Sequence, residues 1–197
     1  MDNSFFARKD KEQEMRRAGR LPPGQSLTQK FPVLHYGGVP AFDPATWDFR
    51  IWGEVEKLLG ADTPSTGFEL ARTLGVVDRL FPDLSALVGC PQEPEWHPEG
   101  DVWVHTLMVI DTARVQSRDL DRPRRLAIML AAVCHDLGKP STTAVIDGRI
   151  RSNNHEQEGV APTVRVLDRL NVHTIDGFDV RAQVIGLVAH HLKPGMF

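Results

Sequence analysis

Five of the eight histidines in this 197-residue chain fall where a metal site would need them. His135 and Asp136 are adjacent; His105 precedes them, His155 follows, and the pair His190-His191 closes the series. Imidazole nitrogen and carboxylate oxygen bind divalent transition ions without help from thiolates. Adjacent side chains near a helix end diverge by about 100°, so His135 and Asp136 share an ion only where their helix meets a cleft. Each residue alone has a plainer reading. His135 could be satisfied by local carbonyls, Asp136 could be solvated, His105 could be a hydrogen-bonded core residue, and His155 with Glu156 could belong to a cap. A cationic His190 or His191 would also favour a helix C-terminus. Five histidines at helix ends or on inward faces, beside one aspartate, form the more informative pattern.

The elements that must position these groups are helical. An amphipathic stretch over 67–74 ends at Gly75, and short helices fit 76–80 and 82–88, the latter with Pro82 in its first turn. A longer helix over 102–115 carries His105, on a side shared with Met108 and Val109. The run LAIMLAAVC within 122–135 is apolar nearly all round, which marks a buried central helix delivering His135. Gly138 and Pro140 then read as a helix stop. Asn153 or Asn154 caps a helix to Leu170, with Asn153 and Glu156 at capping-box spacing and Pro162 predicting a kink or a late start. Asp179 caps the last helix, where Val180, Val184, Leu187, Val188 and His191 share a face. The fold class expected is all-α, a helical domain over 57–197.

Residues 1–56 differ in character. A short charged helix fits from Asn3 or Ser4 to Ala18. Prolines at 22, 23, 32, 40 and 44 exclude a regular helix beyond it. WDFRIWGEVE alternates like a strand. The segment reads as an extended, Pro/Gly-rich N-terminal arm.

Composition narrows the function classes. A net charge of −3 gives no bulk attraction to nucleic acid or anionic membrane. Cys90 and Cys134 are too few for a disulfide framework or a thiolate zinc site. No apolar run approaches the roughly 20 residues that cross a bilayer, and the N-terminus lacks a secretory apolar core. A cytoplasmic setting with no membrane partner is expected.

Two resemblances follow from longer runs. RLPPGQSLTQKFPVLHYGGVPAFDPATWDFRIWGEVE, within about residues 16–56, resembles the lead-in of sulfite-oxidase-like molybdopterin oxidoreductases, without the cofactor domain or its metal-ligating cysteine. Then FELARTLGVVDRLFPDLSALVGCPQEPEWHPEGDVWVHTLMVID, AAVCHDLGKPSTT, DGRIRSNNHEQEG and VAHHLKP together resemble the HD superfamily of metal-dependent phosphohydrolases. They are most similar to the HD domain of bacterial CCA-adding tRNA nucleotidyltransferases. The second resemblance spans 68–194 and implies an HD-domain helical bundle. It implies His105, His135 and Asp136 as core metal ligands, with His155 and His190 or His191 completing a binuclear site or contacting phosphate. Lys139 would touch a phosphate oxygen, or else be a helix-terminal cation. Arg149 and Arg151 would clamp phosphate bidentately, or else be solvated arginines after the Asp147-Gly148 turn. His97 would shape the entry to the His105 helix. Such families commonly add a last ligand, often an aspartate, from a helix beyond the paired histidines, whereas the sequence here stops at Phe197.

The function so implied is hydrolysis of a nucleotide or RNA-end phosphate mono- or diester, with one or two ions of Mn, Ni, Co, Mg or Zn. Asp136 would ligate and orient the attacking water, and Lys139 would stabilise developing charge. Two alternatives stand beside it. One is a catalytically impaired HD module that binds RNA or oligomerises. The other, resting only on the arm, is a remnant of a molybdopterin oxidoreductase fusion.

Overall fold

The computed structural model describes residues 51–193, together with Gln13, Glu14 and Arg17. These last three are helical and exposed, inside the short helix expected there. They belong to a unit comprising Met1–Trp47, whereas Asp48–Phe197 form a second compact unit. The Pro/Gly-rich run of the arm, and with it the oxidoreductase-like stretch up to residue 50, lies outside the described residues.

The second unit is helical, with two small hairpins. Its elements are α1 (Trp52–Gly60), α2 (Pro64–Thr73), α3 (Val76–Leu80), α4 (Pro82–Ser85), α5 (Val102–Gln116), α6 (Arg122–Cys134) and α7 (Lys139–Thr142). Then come β1 (Thr143–Ile146), β2 (Arg149–Ser152), α8 (His155–Glu158), α9 (Val160–Arg169), β3 (Thr174–Ile175), β4 (Phe178–Asp179) and α10 (Val180–His190). The alternation seen around residues 47–56 does not make a strand over its second half, which is helix α1. Its apolar residues serve a helical face instead: Leu59 is buried, with Trp52, Val55 and Leu58 packed on the core.

Helix α6 is the centre of the unit and packs against both α5 and α10. Nine of its residues are buried, Leu126, Met129 and Leu130 among them. Cys134 is fully buried, and desolvation pushes its thiol up to about 12, so it is core rather than nucleophile. The three helices around the site each begin with an aspartate. Asp101, Asp121 and Asp179 accept from the backbone N–H of Val104, Arg124 and Ala182, fixing where α5, α6 and α10 start. On α5, Val102, Trp103, Thr106 and Ile110 are buried, while Met108 is exposed rather than inward.

Two sequence signals resolve differently from expectation. The single helix from Asn153 to Leu170 is two helices joined at Gly159, so Pro162 lies in the first turn of the later one. Asn154 precedes α8 in the left-handed region, at φ 60°, and makes no side-chain cap, so no capping box forms there. Gly138 is not a left-handed stop, its φ being −83°. Its small size matters for another reason: a Cβ there would lie 2.1 Å from the carbonyl oxygen of His155 and 2.6 Å from the nitrogen of Gly159. The backbone after Asp136 therefore lies directly against the start of the helix that carries His155. Each hairpin has a two-residue loop with positive φ at both positions, Asp147-Gly148 and Asp176-Gly177, as type I′ turns require.

Candidate metal centre

Four imidazoles converge on one carboxylate. Asp136 is 2% exposed. Its Oδ2 lies 3.1 Å from His135 Nε2 and 3.9 Å from His105 Nε2. Its Oδ1 lies 3.2 Å from His155 Nε2 and 3.9 Å from His191 Nε2. Two three-residue ligand sets thus share Asp136: His105 with His135, and His155 with His191.

The opposite edge of each ring is fixed. Nδ1 of His135, His155 and His191 lies 2.9, 2.7 and 2.7 Å from the carbonyl oxygens of Ala132, Ser152 and Val188. A carbonyl oxygen only accepts, so each Nδ1 carries a proton, and in the neutral ring each Nε2 presents a lone pair. His105 Nδ1 is held instead by Glu99, at 2.6 Å from Oε1. The same Oε1 is 3.0 Å from His97 Nδ1. His97 stands edge-on to His105, with ring centroids 4.7 Å apart.

This arrangement suits a cation. Four Nε2 lone pairs and two carboxylate oxygens face one another, and His155 Nε2 and His191 Nε2 are only 3.1 Å apart. Among the described residues, His135 Nε2 and Asp136 Oδ2 are buried without a hydrogen-bond partner, a costly state unless another group fills the gap. Lys139 Nζ is 2.8 Å from Asp136 Oδ2, an ionic contact without hydrogen-bond geometry. One lysine cannot satisfy six acceptors. Burial alone would raise the Asp136 carboxyl, but His135, His155 and Lys139 outweigh it and hold the group well below the usual carboxylate range. Asp136 is therefore an anion. Burial lowers His105 and His191, which favours the neutral form that can ligate. Burial also opposes protonation of His155, yet its contact with Asp136 prevails and raises it.

The remaining candidates separate. His191 joins the cluster, whereas His190 is exposed and lines a neighbouring apolar cleft with Val109, Ile128 and Leu187. Lys139 is buried rather than free: its Nζ donates to Gln92 Oε1 at 2.5 Å besides facing Asp136. Arg149 and Arg151 are exposed on β2, while their neighbours Ile150 and Ser152 line the cleft that holds the histidine–aspartate cluster. Strand alternation sends the two arginines to the other face, and Arg149 pairs with Glu95 at 3.0 Å. Glu99 and Gln92 were not singled out from sequence. Both lie in the irregular stretch before α5, where no periodicity marks an inward residue.

Comparison with known proteins gives two matching family models. Residues 102–196 match the model of the HD domain. Residues 49–87 match the model described as "Probable RNA and SrmB-binding site of polymerase A". The chain is 37% identical over 142 residues to a multifunctional CCA protein of Actinobacillus pleuropneumoniae serotype 5b (strain L20), covering 72% of this chain and 33% of that one. It is 41% identical over 123 residues to a multifunctional CCA protein of Thioalkalivibrio sulfidiphilus (strain HL-EbGR7), covering 62% and 28%. With a multifunctional CCA protein of Pasteurella multocida (strain Pm70) the identity is 38% over 130 residues, covering 66% and 30%. The chain spans about a third of the length of these curated relatives. No solved structure matches it. No helix among the described residues is long and apolar enough to cross a membrane.

Proposed function

From the HD domain that this chain carries over residues 102–196, we propose that it is a metal-dependent phosphohydrolase acting on a nucleotide or RNA-end phosphate ester. The observation that carries this reading is the convergence of four Nε2 atoms on the buried, ionised Asp136, two facing Oδ2 and two facing Oδ1. His105, His135, Asp136, His155 and His191 would hold one or two divalent ions. Such an ion lowers the pKa of a water and polarises a phosphoryl oxygen.

The residues themselves do the rest. Asp136, with both oxygens between the two imidazole pairs, orients a nucleophilic water and accepts its hydrogen bond. Lys139 holds positive charge beside that carboxylate and favours the phosphoryl oxygens as negative charge develops. Histidine and carboxylate ligation favours Mn, Ni, Co or Zn over Mg alone.

A second reading is supported by the match of residues 49–87 to an RNA-binding region. In it the chain is an RNA-positioning module related to CCA-adding enzymes, with an impaired centre. Metal analysis of the full chain, with hydrolysis of mono- and diesters under Mn, Ni, Co, Zn and Mg, separates the two. Near-stoichiometric metal with turnover, both lost in Asp136→Ala, supports the hydrolase. A metal-free, inactive wild type that still binds RNA supports the module.

A further inference from the structure

Helix α6 is apolar nearly all round, and such a helix needs cover on every side. Among the described residues, one side lacks it. Of the run Leu126–Cys134, Ile128 alone is not buried. It belongs to a stripe with Ala131, Ala132 and His135, at i, i+3, i+4 and i+7, which faces a groove of about 670 Å³. Helices α5 and α10 both pack on α6, and each turns a stripe of its own to the same groove. On α10 the stripe is Gln183, Gly186, Leu187 and His190, with the same spacing, and on α5 it is Val109 and Ala113, four residues apart. A smaller cleft shares Ile128, Gln183 and Leu187 with this one and carries the groove on to Arg124 and Phe178.

The shape and the charge of the groove define what fits it. Three helical stripes around one space offer ridges and grooves at the helical period, and another helix is what interdigitates with them. From Arg124 to His135 the α6 stripe runs about 16 Å, or about three turns. At Gly186 an added Cβ would meet nothing within 4 Å, so the backbone of an incoming helix can approach closely there. None of the described lining residues is an aspartate or a glutamate, whereas Lys193 stands at one end and Arg124 at the other. Arg124 shares its charge with Asp121, which leaves the Lys193 end the more positive. A helix with carboxylates beside its apolar stripe complements this rim, and one with lysines there is repelled.

We propose that this groove docks an acidic amphipathic helix of a partner protein, its apolar stripe laid on Ile128, Ala131 and Leu187 and a carboxylate set against Lys193. His135 and His191 line both this groove and the cleft that holds the histidine–aspartate cluster, so the docked helix packs against two rings of the candidate centre. The docking itself does not depend on the hydrolase reading.

Fluorescence anisotropy of two labelled helical peptides, each of about four turns, tests this with the full chain. Both carry leucine at i, i+3, i+4 and i+7; the flanking positions are glutamate in one and lysine in the other. The glutamate peptide is expected to bind about tenfold more tightly than the lysine peptide, and Lys193→Glu to reverse that order. Gly186→Leu fills the groove without touching the rest of the protein, and leucine favours the helix. Its circular dichroism should therefore match wild type while the glutamate peptide binds about tenfold more weakly. Equal binding of the two peptides, or binding unchanged in Gly186→Leu, overturns the proposal. Binding of neither peptide overturns it as well. Light scattering over a concentration series covers the remaining occupant: a dimer that Gly186→Leu dissolves would assign the groove to a second copy of this chain and overturn the partner helix.

Discussion

The two halves of the candidate metal centre are held by different means. His155 and His191 take their orientation from backbone carbonyls three residues earlier. His105 takes its orientation from a side chain, Glu99, which itself belongs to the irregular loop before α5. His135, its neighbour in that ligand set, again relies on the backbone. Backbone support comes with the helix end and survives almost any substitution nearby. Side-chain support adds negative charge behind the imidazole, which raises its basicity as a ligand, but it can be lost by a single change. The half built on His105 is therefore the tunable one, and the half built on His155 is the rigid one.

The largest expected effect removes what the halves share. Asp136→Ala takes away both carboxylate oxygens, so bound metal should fall from near-stoichiometric to background by elemental analysis. Circular dichroism checks that the helices persist. Metal retained at half the wild-type content would mean that the two halves bind independently, and that the bridging role assigned to Asp136 is wrong.

The rigid half should break next. In Gly138→Ala the new methyl meets the carbonyl of His155 at 2.1 Å, and the atoms it meets are backbone, which cannot rotate away. A loss of about 3 kcal/mol in urea unfolding is expected, at the upper end of overpacking costs. Wild-type stability in this variant would show that α8 is free to move, contrary to the comparison.

The tunable half gives a smaller, graded response. Glu99→Gln keeps a hydrogen-bond acceptor but removes the charge, and metal affinity should drop about 10- to 100-fold, as for other outer-shell carboxylates. Glu99→Asp should recover part of it. A cobalt-substituted protein reports the change directly in its visible spectrum. His190→Ala, in contrast, should leave metal affinity within about twofold of wild type, since exposed groups away from the site couple weakly to it.

The difference between the halves also explains what the sequence could reveal. Histidines at helix ends announce themselves, because the hydrophobic period locates the helix and its end locates the residue. The same period distinguishes His191 from His190: Val180, Val184 and Val188 are buried, and His191 lies three residues beyond Val188 on that face. Glu99 and Gln92 carry no such signal. Gln92 meets Lys139 across 47 residues of sequence, a pairing that exists only once the chain has folded. The arginines of β2 were legible in principle, since Asp147-Gly148 announces a hairpin and alternation then assigns Ile150 and Ser152 to the cleft. Gly138 had the opposite difficulty. Its position after a helix suggests a stop, but the reason for its small size lies in a tertiary contact with His155.

The smallest effect concerns how the tunable half is mounted on the rest of the unit. Helix α5 is tied to α2 through Trp103 Nε1, which donates to Glu69 Oε2 at 2.8 Å. Glu69 also pairs with Arg72, and the bonds from Arg72 and Trp103 lower its carboxyl to about 2. In the unfolded chain this carboxyl returns to its ordinary range near 4.3. As pH falls, the unfolded state takes up the proton first, so the contribution is complete above about 4.5 and is lost as pH falls towards 2. The side chain is 42% exposed, and screening by solvent reduces the contribution to about 0.5 kcal/mol. Glu69→Gln should accordingly flatten the acid limb of stability between pH 4.5 and 2 while leaving stability at pH 7 lower by the same amount. Asp136 and Asp121 are also held below the ordinary carboxylate range, so the variant should keep the part of the acid slope that those two carboxyls supply. An acid limb equally steep in the variant would locate the sensitivity elsewhere and remove this distinction between the two halves.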